Sequence, residues 1–210
     1  MNSRFAPVLS VTDPVRALEW FMSLPGVGVD LARQTVSCGD YLIRITQAQA
    51  WPAGSKPEPF DHLALRVGDV DAVLHLMMSA GAVLDPRFTP DGPREIPTFW
   101  DNGVRFAFLV GPGGAPVELC QRLSATGRPE VTGIDHLGLR CPDVDAYAAR
   151  LTSAGARLIA RHRLETETAA INVLFLSDAG LVWEVFDEVA LRPLPGNTVG
   201  AATWAGITPI

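Results

Sequence analysis

Residues 60–84 read FDHLALRVGDVDAVLHLMMSAGAVL, and residues 134–158 read IDHLGLRCPDVDAYAARLTSAGARL. Aligned without a gap, 14 of the 25 positions are identical, including Asp61 with Asp135, His62 with His136, Arg66 with Arg140, Asp69 with Asp143 and Gly81 with Gly155. Self-similarity at a fixed spacing marks a repeated structural unit. In each copy Leu63, Leu65 and Val67, or their counterparts, alternate with His62, Ala64 and Arg66, the period-2 pattern of a strand with two distinct faces. Asp69 and Asp143 then stand where a helix N-cap belongs, and apolar residues follow at helical spacing: Val70, Val73, Leu74 and Met77 in one copy, Val144, Tyr147, Ala148 and Leu151 in the other. Gly81 and Gly155 end the helices.

Working outward, a second strand is expected at Val83 and Leu84 in one copy and at Leu158 and Ile159 in the other. Two further apolar runs follow in each, over 104–110 and 116–123, then over 171–176 and 181–186. Gly- and Asp-rich joints at 111–114 and 177–180 make them hairpins. Each copy thus reads strand, helix, three strands, an α+β pattern of repeated β-α-β-β-β modules.

A fainter copy begins the chain: a strand at 8–11, a helix at 13–24, and a hairpin of 29–36 with 41–46. Aligning Asp13 with Asp69 puts Ala6 in the place of His62, and the run 41–45 fills its last strand without a glutamate. The expected organisation is a partial βαββ module without metal ligands over 1–50, ligand-bearing modules over 60–123 and 133–188, and a C-terminal tail over 189–210. Pro- and Gly-rich stretches at 51–59 and 124–132 read as linkers, and Trp204 and Ile210 favour a docked tail.

Composition bounds the function. The chain has 210 residues, is 48% hydrophobic and carries a net charge of -6, so nucleic acid and anionic membranes are not the expected partners. Ser10, Thr12, Asp13 and Arg16 interrupt the stretch after Arg4, so no secretory signal is expected. Cys38, Cys120 and Cys141 are odd in number and lack C-x-x-C spacing, which argues against a disulfide framework and for a reduced, cytoplasmic setting.

His62 and His136 occupy equivalent places in the first strand of each copy, and Glu118 and Glu184 equivalent places in the last. A lone strand histidine is ordinarily structural, and a glutamate beside a turn is ordinarily solvated. Both glutamates here lie inside apolar runs, where an unpartnered carboxylate costs several kcal/mol or is forced neutral. Two modules packed about a pseudo-two-fold axis would bring the four donors onto one divalent ion. Imidazole and carboxylate ligands suit Zn, Ni, Co, Mn or Fe(II) without choosing among them.

The segments Asp61-His62-Leu63-Ala64-Leu65, Gly113-Gly114-Ala115-Pro116-Val117-Glu118-Leu119, Asp135-His136-Leu137-Gly138-Leu139 and Gly180-Leu181-Val182-Trp183-Glu184 resemble the vicinal oxygen chelate superfamily. That superfamily includes glyoxalase I, methylmalonyl-CoA epimerase, extradiol dioxygenases and drug-resistance proteins. The resemblance implies paired modules forming a cupped mixed sheet around a metal, and the His, Glu, His, Glu order is similar to glyoxalase I. It implies a metal-dependent lyase or isomerase that stabilises an enolate or enediolate, with Glu118 or Glu184 as base. Extradiol dioxygenases carry a Tyr and a Pro ahead of the last ligand, where this chain has Phe175-Leu176-Ser177-Asp178-Ala179-Gly180. An Fe(II) dioxygenase using His62, His136 and Glu184 is therefore the second expectation, and a non-catalytic small-molecule binder the third.

Arg94 and Trp100, in the long loop of the first copy, are candidate substrate contacts on a lid. Arg66 and Arg140 share strand parity with the histidines and are candidates for an anionic substrate, a structural ion pair being the commoner role. Exposed strand edges in the N-terminal copy lead to the expectation of a homodimer.

Overall fold

The computed structural model describes residues 5–48, 60–125, 127–165, 170–178, 180–187 and 203–209. The expected linker at 51–59 lies outside the described residues. The N-terminal segment contains β1 (Phe5–Val11), α1 (Pro14–Met22), β2 (Val27–Asp30), β3 (Thr35–Cys38) and β4 (Tyr41–Gln47). The first full copy contains β5 (Phe60–Val67), α2 (Val70–Ser79), β6 (Arg94–Ile96), β7 (Val104–Val110) and β8 (Pro116–Arg122). The second contains β9 (Val131–Cys141), α3 (Val144–Ser153), β10 (Arg157–Glu165), β11 (Ala170–Asp178) and β12 (Leu181–Asp187), and β13 (Thr203–Pro209) comes last.

The strands form two sheets, a five-stranded one in the order β13-β1-β4-β3-β2 and an eight-stranded one in the order β10-β11-β12-β9-β5-β8-β7-β6. The larger is a curled mixed sheet with two modules side by side. Within each module the first strand pairs in parallel with the last, β5 with β8 and β9 with β12, and the N-terminal segment repeats this with β1 and β4. The two modules join through the antiparallel pair β5 and β9. This pairing sets the histidine-bearing strands together at the centre, with a glutamate-bearing strand on each side.

The helices follow from local sequence. The Asp13, Asp69 and Asp143 carboxylates accept hydrogen bonds from the backbone N–H of Arg16, Ala72 and Ala146 at 3.0, 2.9 and 2.9 Å, satisfying donors that the first helical turn leaves free. Gly81 and Gly155, one residue past the C-caps of α2 and α3, have φ of 93° and 110°, a region costly to a residue with a Cβ. Val70, Val73, Leu74 and Met77 of α2 pack against Leu63, Leu65, Leu109 and Leu119, and Leu18 and Phe21 of α1 join the same core. Val144 and Ala148 of α3 pack against Leu139, Leu174, Leu176 and Val185. Burial of each large side chain contributes about 1.5–3 kcal/mol. The helices therefore cover the convex face of the sheet and leave the opposite face for the site.

Two elements differ from the expectation. The run 29–36 is divided: a turn at 31–34 separates β2 from β3, so the N-terminal segment has strand, helix and three strands rather than two. In the first copy Val83 and Leu84 do not build a strand, and Leu84 makes only an isolated bridge to Leu109. Asp85 explains this locally. Its carboxylate is fully buried and holds the Arg87 N–H and guanidinium, turning the chain off the sheet. Sheet pairing resumes at β6, against β7. In the second copy β10 instead pairs with β11 over nearly its whole length. All three cysteines are free and buried, and burial pushes the Cys38 thiol up to about 12.

Candidate metal centre

His62 on β5, Glu118 on β8, His136 on β9 and Glu184 on β12 come from the four central strands and meet on the concave face. The register shows how. Ala64 faces His136 on one side and Glu118 on the other, while Gly138 faces His62 and Glu184. Two small residues at equivalent repeat positions thus leave space over which the four larger side chains converge. A Cβ built on Gly138 would lie 2.2 Å from the His62 ring, so only glycine admits that imidazole.

His62 Nε2 lies 3.2 Å from His136 Nε2, 3.3 Å from Glu118 Oε2 and 3.3 Å from Glu184 Oε2. His136 Nε2 lies 3.2 Å from Glu118 Oε2 and 3.3 Å from Glu184 Oε2. Metal bonds of about 2.0–2.1 Å meeting at tetrahedral angles separate neighbouring donors by about 3.3–3.4 Å. The donors are nearly enclosed, with His62 3% exposed and His136 4%.

The other edge of each imidazole is fixed by the preceding residue. His62 Nδ1 is 2.9 Å from Asp61 Oδ1, and His136 Nδ1 is 3.2 Å from Asp135 Oδ1. Adjacent strand residues normally face opposite ways. Here the β5/β9 register shifts at Asp61 and at Asp135, each skipped in the ladder as the extra residue of a bulge, and a bulge re-aims a side chain in this way. The aspartates are held across the module boundary. Arg140 of the second copy pairs with Asp61 of the first, and Arg66 of the first donates Nε to Asp135 of the second at 3.0 Å. Arg122 adds Nε to Asp135 at 2.9 Å and lies with its guanidinium carbon 4.0 Å from the Trp100 ring centroid.

The electrostatics follow from this packing. With Nδ1–H donating to an aspartate, each Nε2 turns a lone pair toward the centre, where two carboxylate oxygens also point. Four acceptors facing one point repel unless a cation or protons lie between them, so the donor set fits a divalent ion. Burial lowers the proton affinity of both imidazoles, but the surrounding carboxylates override it and hold them well above the usual histidine range. Burial raises the Glu184 carboxyl, and the two imidazoles reverse this and hold it far below the usual carboxylate range. A second buried triad, Cys120, Asp135 and His136, is also positioned to coordinate a divalent ion. Its Asp135 is already engaged by two arginines, and burial lifts the Cys120 thiol well above its ordinary value. The first set, His62, Glu118 and His136 with Glu184 beside it, is the better-matched one.

A cavity of about 1010 Å³ opens above the donors. Arg94, Trp100 and Arg140 line it, whereas Arg66 is not among its lining residues and serves the Asp135 pair. Trp100 has φ of 54°, an uncommon conformation for a bulky residue, and packs on Phe175 with ring centroids 4.8 Å apart. Sequence reasoning gave no site role to Asp61 and Asp135, although an Asp precedes the His in both copies. It also missed the aromatic wall, although Phe108 and Phe175 lie opposite Glu118 and Glu184 at equivalent places and Phe186 shares strand parity with Glu184.

The sequence matches no protein-family model and no curated protein. Solved structures do match. Glyoxalase I from Zea mays superposes with a TM-score of 0.61 at 17% identity, covering 89% of this chain and 68% of that one. A variant of 4-hydroxymandelate synthase from Streptomyces coelicolor gives 0.55 at 12% identity, covering 92% and 71%. A putative dioxygenase from Bacillus subtilis gives 0.52 at 12%, covering 86% and 62%. These likenesses, at 12–17% identity, show a shared fold; the chain's own buried His/Glu cluster is a candidate metal-binding site compatible with several chemistries.

Proposed function

We propose that the protein is a metal-dependent lyase or isomerase of the glyoxalase type. One observation carries this reading: two histidines and two glutamates converge at 3.2–3.3 Å on the floor of a cavity. A divalent ion held there would supply the Lewis acidity that makes a C–H bond beside a carbonyl acidic. The chain's own residues supply the rest. With Nδ1 held by Asp61 and Asp135, each imidazole turns Nε2 to the centre, and a bound ion would occupy that lone pair. Glu118 and Glu184 are therefore the bases within the cluster, each able to accept the proton at Oε2 and return it to the product. Glu184 is the more open of the two, 12% exposed against 7%, and is the first choice.

The second expectation, an Fe(II) dioxygenase, calls for two histidines, one carboxylate and open positions. Glu118 adds a fourth protein donor, which favours the lyase or isomerase reading. Protein purified without added metal should hold, or take up, close to one equivalent of Zn, Ni, Co, Mn or Fe per chain. Glu184→Gln should abolish exchange of a substrate-analogue C–H proton with deuterated solvent. No metal uptake would remove both enzyme readings and leave a non-catalytic binder. Tightly held iron with a colour change on adding a catechol would select the dioxygenase.

A further inference from the structure

The walls above the donors indicate the kind of molecule the site receives. Phe108 and Phe186 lie with ring centroids 5.1 and 5.9 Å from His62, and Phe175 lies 5.9 Å from His136. Phe99 and Trp100 continue the same surface, 5.2 and 4.8 Å from Phe175. Aromatic faces thus begin beside the metal donors on both sides of the pseudo-two-fold and run outward.

The charged residues at the cavity are mostly spent on one another. Arg87 is held by Asp85, Arg140 by Asp61, Arg163 by Glu165, and Glu95 by Arg105. Among the described residues Arg94 alone of the cavity arginines makes no ion pair, and it is exposed, at the mouth. One polar group deeper in the wall is also unused: Arg140 Nε is buried and has no hydrogen-bond partner among the described residues. A buried N–H without an acceptor is costly, and a ligand oxygen would relieve that cost.

Resting on the metal-centre reading above, we infer that the substrate is a ring-bearing, largely apolar molecule. It presents oxygen to the floor and to Arg140 Nε, and at most one carboxylate toward Arg94. A nucleotide or peptide conjugate would bring several charges against walls that hold one uncommitted cation. A fused or substituted ring instead fills the space between Phe108, Phe175 and Phe186, where aromatic pairs gain beyond simple area burial.

Two probes with the same chelating head test this: acetohydroxamate and 2-naphthohydroxamate, titrated into the cobalt(II)-loaded full chain by visible absorption. The affinity ratio of the two for free cobalt(II) is the reference. Both should perturb the cobalt spectrum, and the naphthyl compound should bind about 30-fold or more tighter than that ratio accounts for. Phe186→Leu, which keeps bulk but removes the ring, should shrink this preference several-fold. A 6-carboxyl group on the naphthyl probe should strengthen binding to the wild type but not to Arg94→Gln. Equal affinities, after the reference correction, overturn the substrate class while leaving the metal centre standing. Failure to take up cobalt overturns both.

Discussion

At the scale of single residues, the site depends on which edge of each imidazole is free. Asp61 fixes Nδ1 of His62 at 2.9 Å and is itself held by Arg140. Asp61→Asn keeps the shape but loses the charge that makes the imidazole a strong donor. Metal affinity should fall about 10- to 100-fold, as for other groups that orient a ligand, with the far-UV spectrum unchanged; chelator competition measures it. A pH dependence follows from the same groups. In the ion-free protein the folded-state values of His62 and His136 are raised well above the unfolded 6.5. The stability this contributes is complete below about pH 6.5 and is lost as pH rises through the folded values. Glu184, depressed on folding, contributes stability above about pH 4.3 that is lost on acidification. The ion-free protein should therefore melt at a lower temperature at pH 9 than at pH 6, and the zinc-loaded protein should not, since fewer protons then compete with the ion. Calorimetry of both forms tests the sign.

At the scale of elements, repetition and asymmetry carry different information. The capping aspartates recur because each helix must start directly after its first strand and lie across the convex face. Asp143→Ala removes the 2.9 Å acceptor for Ala146 N–H and should cost about 1 kcal/mol in urea denaturation without altering metal content. The stretch between α2 and β7 departs from the repeat. In the second copy the equivalent chain is a long strand, β10, whereas in the first it leaves the sheet at Asp85 and brings Phe99 and Trp100 over the cavity. The two modules supply matching ligands and unlike walls, so a site with near two-fold donors can still bind an asymmetric molecule.

At the scale of the whole molecule, the smaller sheet shares a core with the larger. Leu18, Phe21 and Ile43 belong to the cluster that includes Leu63, Met77 and Leu119, and the Tyr41 hydroxyl donates to the Gly180 carbonyl at 2.7 Å. The N-terminal segment therefore buttresses the convex side of the ligand-bearing modules. The edge of β1 is covered by β13, which pairs with it antiparallel from Phe5 opposite Pro209 to Ser10 opposite Thr203. Removing residues 203–210 should expose that edge, lower the melting temperature and promote self-association, read by size-exclusion chromatography. Metal uptake by the larger sheet should persist.

The repeat, the helix starts and the four donor residues were legible in the chain because each is a local pattern: a period-2 run, an Asp before apolar residues at helical spacing, a His and a Glu recurring at matched places. Cavity contacts were legible only in part. Trp100, Arg94 and Arg140 reach the cavity, while Arg66 is drawn instead to Asp135. Strict alternation turns Asp61 and Asp135 away from their histidines, and only the bulges of the antiparallel β5/β9 pair, formed between strands of different modules, bring them back. The aromatic wall joins Phe99 to Phe186 and to Phe108 and Phe175, which lie opposite Glu118 and Glu184 in equivalent hairpins, and sheet curvature sets them around one cavity. The sequence by itself determined the modules and the donors, since propensity and periodicity act between near neighbours. The tertiary structure decided how the donors are held and what surrounds them, since those depend on which strands pair and how the sheet bends.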